Sequence, residues 1–222
     1  MSERLKPSGI ISDIDNTLIA TSSFIKEHIN RTCQRLKIVI PSADEITKVL
    51  RTNPAFEDVF NQLFGEVKGP GILEAYREDA PQYDYQPTAR AVEFISLTDE
   101  LKIPVVIVTN RVRMIEDRLK QAGFTPESFE DIVSLDFPKP DQHAYDSAIK
   151  SLINLGAKRE KIVFIGDHPD DFLAVPDDLR KNFYAVLSGL SESQEFEGLG
   201  LPPDNILSNL EGLIDKIRLS NG

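Results

Sequence analysis

ISDIDNTL, residues 11–18, ends a short apolar run with two aspartates, Asp13 and Asp15, that stand one residue apart. Two neighbouring carboxylates are costly to bury unless a cation or a proton lies between them. An Asp-x-Asp pair at a strand end therefore indicates a divalent metal site, acid–base chemistry or both. Taken alone, the pair fits a solvated turn equally well.

Three further apolar runs also end in polar residues. The runs are IPVVIVTN (residues 103–110), IVSLDFPKP (132–140) and KIVFIGDHPDD (161–171). The polar residues that they deliver are Thr109, Asn110, Lys139, Asp167, Asp170 and Asp171. In open α/β sheets, ligands bind outside the carboxyl ends of the parallel strands. If the four runs form neighbouring strands, these side chains and the Asp pair meet in one crevice.

Composition excludes several classes of protein. The chain has 222 residues, of which 41% are apolar, so it can bury a sizeable core. Its net charge of −11, with Lys and Arg scattered among the acids, argues against binding to nucleic acid or to an anionic membrane. No apolar run is long enough to span a bilayer, and the first residues lack the apolar centre of a signal peptide. Since a single cysteine, Cys33, allows no intramolecular disulfide, we expect a cytoplasmic protein.

The chain is organised in two different ways. From about residue 86, strand and helix patterns alternate, which predicts an α/β fold with a parallel, Rossmann-like sheet flanked by helices. The helices expected there include Thr88–Leu101, Arg111–Ala122 and Asp141–Gly156. Residues 21–85 instead carry apolar residues at helical spacing without strand runs. We therefore predict a discontinuous α/β core, residues 1–20 and 86–222, with an inserted α-helical domain at residues 21–85.

The four motifs, in this order, resemble those of the haloacid dehalogenase (HAD) superfamily, and of its phosphatases in particular. DIDNTL is similar to the first motif, Thr109 to the second, Lys139 to the third and GDHPDD to the fourth. The helical insertion resembles a C1-type cap, and the layout is similar to the phosphoglycolate phosphatase and β-phosphoglucomutase branch. The resemblance implies a HAD-like fold and a phosphatase that hydrolyses a small-molecule phosphate monoester.

The resemblance also implies catalytic and phosphate-binding roles. Asp13 is the expected nucleophile, since a carboxylate can divide the reaction into two transfers through an aspartyl-phosphate. Asp15 is expected to protonate the leaving group and then to deprotonate the attacking water. Thr109 and the amide of Asn110 are expected to hold the phosphoryl oxygens, and Lys139 to neutralise charge on Asp13 and the phosphate.

A Mg²⁺ ion is the cofactor expected at these acids, because Mg²⁺ prefers hard oxygen ligands. Asp13 and Asp167 are the expected carboxylate ligands, with the backbone carbonyl of Asp15 as a third. Asp171 is expected to act on the metal through water or a hydrogen bond. Asp170 is interpreted as a solvated neighbour.

Two alternatives remain open at this point. A phosphotransferase or phosphomutase of the same superfamily would carry the same motifs, and a response-regulator receiver also places acids, a Thr and a Lys at strand ends. The receiver fits less well, because receivers are shorter and lack a helical insertion. The sequence specifies neither the substrate nor the oligomeric state. Candidate anion-binding residues of the insertion are His28, Arg31, Arg35, Lys48, Arg51 and Arg77.

Overall fold

The computed structural model describes residues 5–52, 56–134 and 137–219. The chain divides into two compact units, one comprising Met1–Ala20 with Gln86–Gly222 and the other Thr21–Tyr85. The first unit is an α/β sheet with flanking helices, and the second is helical. No helix in the described ranges is both long and apolar enough to cross a membrane.

The first unit is built on a parallel sheet of short apolar strands. Within the described residues, the strands are β1 (Gly9–Ser12), β2 (Val105–Thr109), β3 (Asp131–Ser134), β4 (Ile162–Gly166), β5 (Phe183–Val186) and β6 (Ile206–Leu207). Their order in the sheet is β3-β2-β1-β4-β5-β6, and all pairings are parallel. β1, β2, β4 and β5 are buried throughout, which explains their unbroken apolar sequences. The predicted α/β fold with a parallel sheet is confirmed.

The second unit consists of helices that share one apolar cluster. They are α1 (Thr21–Leu36), α2 (Ala43–Thr52), α3 (Phe56–Phe64) and α4 (Gly69–Asp79). The cluster includes Ile29 of α1, Ile46 of α2, Phe60 of α3 and Tyr76 of α4. Helical spacing of apolar residues revealed α1, α3 and α4. It did not reveal α2, which buries only two of its residues, Ile46 and Val49.

The sheet of the first unit is covered by the remaining helices, which supply its core. They are α5 (Ala91–Glu100), α6 (Ile115–Gln121), α7 (Asp146–Asn154), α8 (Pro169–Ala174), α9 (Ser193–Gly198) and α10 (Glu211–Arg218). Leu152 of α7 and Phe172 of α8 pack in one cluster with Ile11, Phe164 and Phe183 of the strands. Burial of such side chains, at roughly 1.5–3 kcal/mol each, fixes the strands that carry the motif residues.

Three predicted helices begin later than their sequences indicated. α5 begins at Ala91 rather than Thr88, and α6 begins at Ile115 rather than Arg111. In each case the preceding residue is left-handed, Arg90 with φ of 67° and Met114 with φ of 56°. α7 begins at Asp146 rather than Asp141, because the residues before it form turns. Helical composition alone does not reveal such local backbone conformations.

The helical unit leaves and rejoins the α/β unit at adjacent points. The amide of Ala20 donates to the carbonyl of Gln86 (2.8 Å), and the amide of Thr88 donates to the carbonyl of Leu18 (2.9 Å). The Thr88 hydroxyl also donates to the carbonyl of Thr17 at 2.6 Å. The two crossing points are therefore hydrogen-bonded to each other within the α/β unit.

Candidate active site

The first motif is positioned by the two strands that flank β1. Ser12 is paired in register with Ile107 of β2 and with Ile165 of β4. The amide of Asp13 donates to the carbonyl of Ile165 at 2.9 Å, which extends the β1–β4 pairing by one residue. The three parallel strands thus end within two residues of one another, and the residues that follow them come together as predicted from the strand ends.

Lys139 lies between two buried acids. Its Nζ is 2.6 Å from Oδ1 of Asp13 and 2.6 Å from Oδ1 of Asp171. It also donates to the carbonyl of Val108 at 3.0 Å, so each of its three N–H donors has an acceptor. Burial alone lowers the pKa of Lys139, but Asp13 and Asp171 outweigh that effect and hold its pKa well above the usual value. Lys139 is therefore a fixed positive charge.

A triad of buried carboxylates surrounds this lysine. Oxygen atoms of Asp13, Asp167 and Asp171 lie within 4.8 Å of one another. Burial raises the pKa of Asp13 to about 7; Lys139 lowers this pKa, and Asp171 and Asp15 raise it. Burial, followed by the charges of Asp13 and Asp171, holds the pKa of Asp167 well above its usual range. One ammonium does not balance the negative charge of the triad.

This oxygen set fits a hard divalent cation. Two glycines let the backbone approach the carboxylates closely. A Cβ at Gly189 would lie 1.8 Å from Oδ2 of Asp167, and one at Gly166 would lie 2.3 Å from Oδ2 of Asp171. Both carboxylates therefore lie directly against a glycine, and a larger residue at either glycine would displace the carboxylate. A cation at the triad would also offset the charge that raises the pKa of Asp13.

The two neighbouring acids of the fourth motif, Asp170 and Asp171, differ in their surroundings. Asp171 is buried and accepts from the amide of His168 at 3.0 Å, and its own carbonyl accepts from the hydroxyl of Tyr145 at 3.2 Å. The Asp170 side chain is 41% exposed and lies outside the triad. His168, at the N-cap of α8, is exposed and accepts from the amide of Asp170 through Nδ1. Of these two neighbouring acids, Asp171 is thus the one that contacts Lys139.

The second motif lies at the end of β2 beside Lys139. Thr109 is buried, and its Oγ1 accepts from the amide of Arg111 at 3.1 Å. The Asn110 side chain bonds the backbone of Lys139, donating to its carbonyl (2.9 Å) and accepting from its amide (2.8 Å). The structure therefore brings Thr109 and Asn110 to the same edge of the sheet as Asp13, where Asn110 contacts Lys139.

Arg111 is a site residue that the sequence analysis missed. Its Nη2 is 2.5 Å from Oδ1 of Asp15, and its Nε is 2.9 Å from Oδ2, a bidentate pair. Both side chains are partly exposed, at 20% for Arg111 and 29% for Asp15. The sequence signal that could have revealed Arg111 is its position directly after Thr109 and Asn110, the polar residues that end a predicted strand. The guanidinium fixes the orientation of the Asp15 carboxylate.

Several candidate anion-binding residues of the helical unit already pair within that unit. Arg31 pairs with Glu27, Arg35 lies 2.7 Å from Asp79, and Arg77 lies 2.6 Å from Glu57. The Nε2 atom of His28, which is buried, is 2.8 Å from the carbonyl oxygen of Tyr76. These contacts explain the four residues without an external anion.

Comparison with known proteins identifies the family of this chain. The family model described as haloacid dehalogenase-like hydrolase matches residues 10–175, which includes all four motifs. The chain belongs to this family. This match confirms the resemblance of the four motifs to those of the HAD superfamily. By its family, the chain is a hydrolase. Members of this family use a divalent metal, which agrees with the buried acid triad. No curated protein matches the chain.

Solved structures share this fold along their whole length. A Thermotoga maritima protein provisionally described as β-phosphoglucomutase has a TM-score of 0.75 and 15% identity, over 95% of this chain and 98% of its own. A Lactobacillus delbrueckii protein provisionally described as phosphoglycolate phosphatase has a TM-score of 0.69 and 18% identity, over 96% and 99%. CbbY from Rhodobacter sphaeroides, in complex with phosphate, has a TM-score of 0.61 and 16% identity, over 94% and 100%. At these identities the similarity is one of fold.

Proposed function

We propose that this HAD hydrolase is a Mg²⁺-dependent phosphatase that hydrolyses a small-molecule phosphate monoester through an aspartyl-phosphate on Asp13. The observation that carries the proposal is the buried cluster of Asp13, Lys139, Asp167 and Asp171, with Asp15 close to it in the chain. The phosphate bound to the CbbY structure supports a phosphate ligand for this fold.

The chemistry proceeds in two transfers. A carboxylate oxygen of Asp13 bonds to phosphorus while the ester oxygen leaves and takes a proton from Asp15. Asp15 then takes a proton from a water molecule, whose oxygen attacks phosphorus, so that inorganic phosphate leaves and the Asp13 carboxylate is restored. The pair with Arg111 holds both oxygens of the ionised Asp15 carboxylate, which is the form that takes the proton from water in the second transfer.

The phosphoryl oxygens are proposed to be bound by the end of β2 and by Lys139, in the connection between β3 and α7. The hydroxyl of Thr109 and the backbone amide of Asn110 donate to them, and Lys139 stabilises the charge that develops on them. Asp13, Asp167 and the carbonyl of Asp15 would hold Mg²⁺, and Asp171 would act on it through water or a hydrogen bond. When bound, Mg²⁺ supplies further positive charge to the phosphoryl group.

The helical unit Thr21–Tyr85 is proposed to be a C1-type cap, by its resemblance to that insertion and by its place after the first motif. In such an arrangement the cap sets which ester is accepted. Arg31, Arg35 and Arg77 would each have to exchange an acid of their own unit for the substrate in order to bind it.

The test is a panel of small phosphate monoesters assayed for phosphate release, with Mg²⁺ and with EDTA. We expect turnover that EDTA removes and Mg²⁺ restores, whereas Ca²⁺ restores it poorly because its coordination is looser and higher. Asp13→Asn, nearly isosteric but a poor nucleophile, is expected to abolish turnover. Substantial release by folded Asp13→Asn, or full activity in excess EDTA, contradicts the proposal. Isomerisation of a sugar phosphate without phosphate release identifies a phosphomutase instead.

A further inference from the structure

Lys139 lies in the connection between a strand and a helix. It follows β3, which ends at Ser134, and precedes α7, which begins at Asp146. Among the described residues of this connection, 137–145, none belongs to a helix or a strand. The backbone groups of Lys139 therefore have no ladder or helical partner, although its ammonium has to meet two acids at 2.6 Å each.

The side chain of Asn110 supplies the missing backbone partners. Its Nδ2 donates to the carbonyl of Lys139 at 2.9 Å, and its Oδ1 accepts from the amide of the same residue at 2.8 Å. One carboxamide thus pairs with both backbone groups of one residue, as the opposite residue of an antiparallel strand would. The donor and acceptor of the carboxamide fit this arrangement, and few side chains offer both in one plane.

Both ends of Lys139 are consequently tied to the end of β2. Its backbone is bonded by Asn110, and its Nζ donates to the carbonyl of Val108 at 3.0 Å. β2 pairs directly with β1, which carries Asp13. A lysine side chain is long and has several rotatable bonds, so the location of its ammonium depends on where its backbone is held. β2 and the residue that follows it thus contact both ends of Lys139 beside the strand that carries Asp13.

We propose that the Asn110 side chain is a positioning residue, which clamps the backbone of Lys139 and thereby holds its ammonium against Asp13. This inference rests on the proposed function for its effect on catalysis. It concerns the carboxamide and is separate from the backbone amide of Asn110, which Asn110→Ala leaves in place.

Asn110→Ala is the test variant and Asn182→Ala is the matched control. The Asn182 carboxamide also bonds two backbone groups, the carbonyls of Glu160 and Ile162, at 3.0 and 3.1 Å, away from the acid triad. Hydrogen exchange of the backbone is measured for both variants without substrate or metal. We expect Asn110→Ala to speed exchange in residues 137–145, and Asn182→Ala to leave that segment unchanged. Equal exchange in residues 137–145 for wild type and Asn110→Ala overturns the inference.

The kinetic test uses a preferred ester from the panel. A misplacement of about 1 Å costs roughly 100-fold in rate, so we expect Asn110→Ala to lower kcat by about 10- to 100-fold, with a smaller change in KM. In a Lys139→Met background the same substitution is expected to change the residual kcat by less than about two-fold, because coupled residues are not additive. Full multiplication of the two effects, or a kcat equal to that of Asn182→Ala, overturns the inference.

The two proposals fail separately. If the wild-type chain releases no phosphate but Asn110→Ala selectively speeds exchange in residues 137–145, the clamp stands and the proposed function fails. If the wild-type chain is an active phosphatase and Asn110→Ala behaves like Asn182→Ala in both measurements, the proposed function stands and the clamp fails.

Discussion

Asp13→Asn is expected to stabilise the metal-free protein while abolishing its activity. Burial, partly offset by Lys139, raises the pKa of Asp13 from 3.8 to about 7. The folded state therefore holds this proton between about pH 4 and pH 7, whereas the unfolded state has released it. Unfolding stability falls as pH rises through that window, because the folded state binds more protons there.

The size of the effect follows from the same pKa. About three pKa units, at roughly 1.4 kcal/mol each, give a penalty of the order of 4 kcal/mol for ionised Asp13 above pH 7. Asparagine has the same shape and carries no charge to desolvate, and its Oδ1 still accepts from Lys139. Asp13→Asn is therefore expected to exceed wild type by up to about 4 kcal/mol at pH 8, and the gap is expected to close as pH falls toward 4.

Urea denaturation in EDTA at pH values from 5 to 8 measures this gap. Asp204→Asn, at an exposed position, controls for the removal of one negative charge from a protein of net charge −11. Added Mg²⁺ is expected to raise the stability of wild type more than that of Asp13→Asn, since a ligand that binds only the folded state stabilises it. An Asp13→Asn protein less stable than wild type at pH 8 in EDTA, or a gap independent of pH, refutes the reasoning.

Three further substitutions test the site. Gly189→Ala is expected to weaken Mg²⁺ binding by at least about 10-fold, because the alanine Cβ would lie 1.8 Å from Oδ2 of Asp167. Calorimetric titration with Mg²⁺ measures the affinity, and an unchanged affinity contradicts the prediction. Arg111→Met is expected to slow hydrolysis of an alkyl phosphate about 10-fold more than that of p-nitrophenyl phosphate, whose good leaving group needs little help from Asp15; equal losses for the two esters disprove the orienting role. Lys139→Met is expected to lower metal-free stability by about 3–5 kcal/mol in urea denaturation, because its buried carboxylate partners lose their counter-charge; a loss under about 1 kcal/mol argues against this account.

The sequence predicts the sheet and the strand-end acids well because both depend on local patterns. Buried parallel strands need unbroken apolar runs, and the residues after them are brought together by the sheet itself. It predicts the helix starts poorly, because helical composition does not reveal the left-handed backbone at Arg90 and Met114. Arg111 was missed for a related reason, since its partner Asp15 is 96 residues away. The short strand expected over DIVSL, residues 131–135, corresponds to β3, and its last residue, Leu135, lies outside the described residues.

The hydrogen bond between Ala20 and Gln86 has a consequence for how this chain can be altered. The helical insertion begins and ends at two neighbouring peptide groups. A short turn could therefore replace its 65 residues without any change in the order or direction of the strands. The same junction would accept a helical unit from a relative as one exchangeable cassette. For the proposed phosphatase, substrate range would change with the exchanged segment, while the residues proposed for phosphoryl transfer keep their places.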